Sequence, residues 1–232
     1  MTAITPEASA PVDAPTRYAL YVTPEPGSAL AAFGEAILGD APPPAWDDAE
    51  KAALAAVTAE PRVYGFHATL KAPMRLASGR SEDDLLAACR DLAQARSPLP
   101  IGPLATVLLG DFVALVPRDP PPELGLLAAE CVAALDPFRA PPTPAERERR
   151  RPERLDPRRR ALLDRWGYPH VFEAFRFHMT LTGQLTDDTR EAWRARLATA
   201  CPSAPLTIDA FTLLRQDGGT PFRILQRIPF TG

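Results

Sequence analysis

Phe66-His67-Ala68-Thr69-Leu70 recurs, with one change, as Phe177-His178-Met179-Thr180-Leu181. The chain of 232 residues holds only three histidines, and two of them occupy this shared frame. Each stretch reads as a strand, along which successive side chains point to opposite faces. In the first, Phe66, Ala68 and Leu70 share one face, while His67, Thr69 and Lys71 share the other. In the second, Phe177, Met179 and Leu181 form the apolar face, and Arg176, His178, Thr180 and Thr182 the polar one. Each strand therefore packs one side into a core and offers a histidine and a threonine, roughly 7 Å apart along the strand, to a cleft. A lone strand histidine is ordinarily a satisfied, partly buried residue. The recurrence of the whole frame favours function instead.

Working outward, the surroundings of the two frames repeat as well. Arg17 to Val22 reads as an opening strand and Ser28 to Leu38 as a helix. After the break at Pro42–Pro44, a second helix starts at Asp47, with Glu50 three residues on as a capping partner. The first His frame, a strand around Gly65 to Leu70, is followed by a helix opened by Ser81 and Asp84. Two strand-like runs come next, Leu104 to Leu109 and Phe112 to Val116, with a hairpin turn at Gly110-Asp111. The second frame lies in a strand from Phe175 to Leu181 and leads to a helix capped at Thr186. Leu206 to Arg215 and Phe222 to Ile228 then flank a turn at Asp217-Gly218-Gly219. Strand, helix and hairpin thus occur twice at similar spacing, which predicts an internal duplication in an α+β protein. The first lobe is expected over 64–117 and the second over 175–229, within a single bilobal domain over 17–232.

Between the copies, a helix from Glu123 to Leu135 precedes an Arg- and Pro-rich insert over 137–170. Glu146 to Arg165 carries nine arginines against five acids. That balance suits a solvated linker with internal ion pairs, or a lid that brings guanidiniums to an anionic substrate. His170 lies there outside the His frame and is expected to be a surface or linker residue.

Composition narrows the function classes. Hydrophobic residues make up 46% and charged residues 24%, the balance of a folded globular chain. No run of 18 apolar residues exists, so no spanning helix and no membrane role are expected. Residues 1–16 lack a basic start and an apolar stretch and read as a disordered leader, which makes the expected location cytoplasmic. The net charge of −3 gives no broad basic footprint for nucleic acid. Cys89, Cys131 and Cys201 are an odd count at distant positions, neither a disulfide framework nor a zinc set. No His/Asp/Glu cluster has metal-ligand spacing.

His67-Ala-Thr69-Leu70 and His178-Met-Thr180-Leu181 resemble the paired His-x-Thr/Ser-x motifs of the 2H phosphoesterase superfamily, named for its two histidines. The longer string from Tyr64 to Pro73, with Arg17-Tyr18-Ala19-Leu20-Tyr21 upstream, is similar to a bacterial branch whose genes accompany phosphonate-utilisation operons. The resemblance implies a bilobal fold, with two antiparallel sheets facing a central cleft about a pseudo-twofold axis and helices outside. It also implies metal-independent chemistry on cyclic phosphodiesters, with no cofactor. By the same resemblance His67 and His178 are the acid/base pair, their individual roles open.

Thr69 and Thr180 can donate to non-bridging phosphate oxygens. Lys71 and Arg176 are candidates to neutralise phosphate, and Tyr18 or Tyr64 to line the pocket. The expected substrate is a ribose cyclic phosphate of phosphonate metabolism or a nucleoside 2′,3′-cyclic phosphate. The alternatives are a non-catalytic phosphate- or nucleotide-binding regulatory module, and an RNA end-processing enzyme. A bilobal cleft needs no second chain, so a monomer is expected.

Overall fold

The computed structural model describes residues 15–232; most of the expected leader, 1–14, lies outside the described residues. The strands are β1 (Arg17–Val22), β2 (Ala68–Met74), β3 (Leu99–Leu109), β4 (Phe112–Pro117), β5 (Met179–Thr180), β6 (Pro205–Ile208), β7 (Ala210–Gln216) and β8 (Arg223–Pro229). The α-helices are α1 (Ala29–Leu38), α2 (Asp48–Arg62), α3 (Glu82–Gln94), α4 (Pro122–Leu135), α5 (Pro144–Glu148), α6 (Pro157–Trp166) and α7 (Arg190–Ala200). Local chemistry sets several starts. Ser28 caps α1, and Asp47 with Glu50 and Ser81 with Asp84 form capping boxes on α2 and α3. At α7 the first helical residue is Arg190, with Thr189 in the cap position and the expected cap Thr186 bonded to it between hydroxyls at 3.0 Å.

All strand pairs are antiparallel, in the order β6-β3-β4-β5-β2-β1-β7-β8. At the centre β5 meets β2 through Ala68 and Met179, the residues that follow the two frame histidines. This seam divides the sheet into two four-stranded halves. Only Asp209 separates β6 from β7, yet these strands hold the first and seventh places. The sheet must therefore curl until its β6 edge comes round to β7, and the two halves face one another.

The seam also corrects the expected lobes. Places equidistant from it match β4 with β1, β3 with β7 and β6 with β8. The repeat in space is thus β1-β2-β3 against β4-β5-β7, and 64–117 and 175–229 are not the sheet-forming units. The last strand of each copy pairs with the first strand of the other, β3 with β4 and β7 with β1. The Gly110-Asp111 turn joins the copies. A hairpin signal states that two strands pair and is silent on which repeat they belong to.

One face of the sheet carries the main core. Ala68, Leu70, Phe177, Met179 and Leu181 are buried there with Tyr18, Leu20 and Val22 of β1. Helices cover this face: α4 packs on β2, α3 on β7 and β8, and α7 on β3 and β4. Each fully buried Leu, Ile or Phe in this layer contributes roughly 1.5–3 kcal/mol. Gly34 of α1 lets the Phe66 ring approach to where a Cβ would sit only 2.1 Å away, which pins the segment leading into His67.

Candidate active site

The core face and the cavity face of β2 and β5 are opposite sides of the same strands. Ala68 and Met179 point into the core, so their neighbours point away from it. Continuing the Ala68↔Met179 register by one residue in each direction sets His67 opposite Thr180 and Thr69 opposite His178. The two histidines thus occupy one diagonal of a four-residue patch, and the two threonines the other. Directly opposed pairs in such a ladder have Cβ atoms about 4.5–5.5 Å apart. All four residues line one cavity of about 370 Å³, within the range of small-molecule sites.

The histidines match in hydrogen bonding as well as in position. His67 Nδ1 lies 2.8 Å from the Gly65 carbonyl and His178 Nδ1 lies 2.9 Å from the Arg176 carbonyl, two residues upstream in each case. A carbonyl only accepts, so each Nδ1 carries its proton, and each neutral imidazole keeps its lone pair on Nε2. Gly65 reaches its place with φ +72°, in the left-handed region that favours glycine.

Their surroundings differ. Tyr21 stacks on His67 with ring centroids 3.7 Å apart, and Tyr64 stands at 6.3 Å. Burial pushes the His67 pKa down to about 4; the Gly65 carbonyl opposes that shift and the His178 charge adds to it. His178 has Phe112 tilted at 6.0 Å. Burial lowers its pKa as well, the Arg176 carbonyl opposing and the Arg176 charge assisting. Both imidazoles therefore favour the neutral form in the free protein.

Three expected ligands are placed elsewhere. Lys71 belongs to the core side: pairing of β2 with β1 skips Leu70 between Thr69 and Lys71, a β-bulge that puts Leu70 and Lys71 both in the interior. There Lys71 Nζ donates to the Val132 carbonyl at 3.0 Å and to Asp136 at 3.2 Å. Burial lowers its pKa to about 8, against the opposing pull of Asp136. Beyond the bulge, Ala72 and Pro73 line the cavity instead. Tyr18 turns to the core side and donates its hydroxyl to Glu82 at 2.8 Å. Arg176 is exposed and does not line the cavity; it serves His178 through its carbonyl. Tyr64 does line the cavity, stacked on Phe222. Thr182 is buried at the cavity wall, accepting from Val113 N–H and donating to the Gly183 carbonyl.

Among the lining residues that sequence reasoning passed over are Arg17, Tyr21, Arg150 and Tyr168. Arg17 and Tyr21 share the face of β1 opposite Tyr18, and only the register against Thr69 shows which face meets the cavity. Arg150 and Tyr168 come from the insert, which is docked on the body by Arg75–Glu146 and Arg165–Asp136 ion pairs. His170 is exposed beside Tyr168. Among the described residues no three His, Cys, Asp or Glu side chains gather as a metal site would need, and no helix is long and apolar enough to cross a membrane.

The family described as "Protein of unknown function (DUF1045)" matches residues 69–223, about two thirds of the chain. The chain belongs to this family. A relative from Janthinobacterium sp. (strain Marseille), named ribose 1,5-bisphosphate phosphokinase PhnN, is 41% identical over 232 residues, covering 94% of this chain and 51% of its own length. A relative of the same name from Laribacter hongkongensis (strain HLHK9) is 38% identical over 190 residues, covering 78% of this chain and 43% of its own. The chain therefore spans about half the length of the curated relatives it matches. Among solved structures, E. coli LigT complexed with 3′-AMP is 18% identical at a TM-score of 0.44, covering 94% of this chain and 99% of that one. A structure named as a phosphoesterase is 18% identical at a TM-score of 0.41, covering 94% of this chain and all of that one.

Proposed function

We propose that this DUF1045 protein is a phosphoesterase of the 2H type that opens a cyclic phosphodiester with water, using His67 and His178 as base and acid. The patch that sets the two histidines and two threonines on opposite diagonals, with both Nε2 atoms free, carries this reading. Water attacks phosphorus and gives its proton to one Nε2. The ring P–O bond breaks, and the other imidazolium returns a proton to the departing alkoxide, leaving a phosphomonoester and a free hydroxyl. The Thr69 and Thr180 hydroxyls donate to the non-bridging oxygens as charge builds there. His67, wedged against Tyr21 and with its pKa down to about 4, stays neutral and takes the base role; His178 is the acid. The residues themselves supply both proton transfers, so the reaction needs no metal.

The substrate on this reading is a ribose cyclic phosphate. Breaking the O2–P bond of ribose 1,2-cyclic phosphate 5-phosphate yields ribose 1,5-bisphosphate, the compound in the name of the longer relatives. Phosphorus NMR with EDTA present tests the proposal, on that compound beside the four nucleoside 2′,3′-cyclic phosphates and a short RNA with a cyclic end. Opening of the ribose compound, reduced by orders of magnitude in His67→Ala and in His178→Ala, is the expected result. Full activity in both variants overturns it.

A further inference from the structure

We propose that Arg17 and Arg150 form a second anion subsite in the cavity, which selects cyclic phosphodiesters bearing an additional phosphomonoester. The inference rests on the hydrolytic reading and specifies the substrate class for it. Half of the ten arginines of the insert are paired with carboxylates: Arg139 and Arg165 with Asp136, Arg147 with Asp164, Arg158 with Glu173 and Arg159 with Asp156. Among the described residues Arg150 has no carboxylate partner of that kind; it is half-buried, lines the cavity and lies 4.9 Å over the Tyr168 ring. Arg17, also half-buried, is held by a neutral group. Its Nε donates to Gln216 Oε1 at 2.8 Å, and the Gln216 amide in turn donates to the Thr220 carbonyl. An amide orients the guanidinium without cancelling its charge.

Two half-buried cations facing one cavity repel each other unless an anion lies between them. Both line the cavity that holds the His/Thr patch, so an anion between them can belong to the same small molecule. Arg17 stands four residues before Tyr21, which registers with Thr69, so it is set roughly 13 Å along the sheet from the His/Thr patch. Its guanidinium, held by Gln216 and 5.6 Å over the Phe222 ring, lines the same cavity as Ala72 and Pro73. The carboxylates of the lining, Glu60 and Asp111, are exposed and belong to the side where α2 and the β3–β4 turn bond to Gly183 and Leu185. A second phosphate is turned from that side toward the arginines. With Lys71 withdrawn by the bulge, these two guanidiniums are the strong cations in the lining.

The test compares ribose 1,2-cyclic phosphate with and without a 5-phosphate, in wild type, Arg17→Gln and Arg150→Gln. Ribose 5-phosphate binding is measured by calorimetry alongside. Wild type is expected to prefer the doubly phosphorylated substrate, and each variant to lose that preference by roughly 10- to 100-fold, the loss falling on that substrate. Ribose 5-phosphate binding should weaken in parallel. If no cyclic phosphate turns over while ribose 5-phosphate still binds through Arg150, the hydrolytic reading fails and the subsite stands. Equal losses on both substrates, or ribose 5-phosphate binding indifferent to both substitutions, overturn the subsite.

Discussion

The packing of Tyr21 on His67 has a thermodynamic signature that can be measured without any substrate. An imidazole whose pKa is 6.5 in the unfolded chain and about 4 in the folded one binds its proton more readily when unfolded. The stability this contributes is fully present above pH 6.5 and is lost as pH falls toward 4. Linkage between those two values gives a loss of about 0.8 kcal/mol at pH 6, about 2 kcal/mol at pH 5 and about 3 kcal/mol at pH 4. The assay is denaturant unfolding of wild type and His67→Gln across that range. The variant has no imidazole at this position, while all other titrations are common to both proteins. The wild-type-minus-variant difference should therefore fall by about 2 kcal/mol between pH 7.5 and pH 5. A flat difference would mean that His67 protonates as freely in the folded protein as in water, and the argument from the stacked, desolvated ring would be wrong.

Because burial lowers the pKa of both histidines, kcat/KM should peak on the acid side of 6.5 and decline toward alkaline pH as His178 loses its proton. A maximum above pH 7.5 would contradict that. The split of roles predicts that His178→Ala recovers much of its deficit on an aryl phosphodiester, whose leaving group needs no proton, whereas His67→Ala does not; the reverse pattern exchanges the assignments. Lys71→Met should cost about 1–3 kcal/mol in stability, through its bonds to Val132 and Asp136, and leave kcat/KM of the folded protein within about twofold of wild type. A selective rise in KM would return Lys71 to the cavity.

Much of the site was legible because each His-x-Thr frame leads into a strand, at Ala68 and at Met179, where period two separates core from cavity, although the second strand is only Met179–Thr180 and not the expected Phe175–Leu181. Helix starts at Ser28, Asp47 and Ser81 were readable from their side-chain chemistry alone. Alternation failed at the bulge after Thr69, since an extra residue reverses the facing of Lys71 and Ala72 until the second register shift before Met74, and no residue type announces it. Tyr18 and Tyr21 lie on opposite faces of β1, and choosing between them needs the partner strand. Arg150 was one of nine arginines in its segment, singled out only by where α5, α6 and their ion pairs place it. The run from Leu206 to Arg215 read as one strand; it is two, divided at Asp209 where the chain passes between the sheet halves.

The exchange of final strands between the repeats bears on how such a protein could arise. A chain holding a single repeat would have a strand with no place in its own half sheet and a gap where another should be. Two such chains would satisfy each other, each inserting its last strand beside the partner's first and contributing one histidine and one threonine to a shared site on the twofold axis. On such an origin Gly110-Asp111 would be the joint between the two repeats. A single chain also allows the halves to differ: Tyr21 lies beside one motif strand where Ala114 lies beside the other, and the two histidines have unequal surroundings.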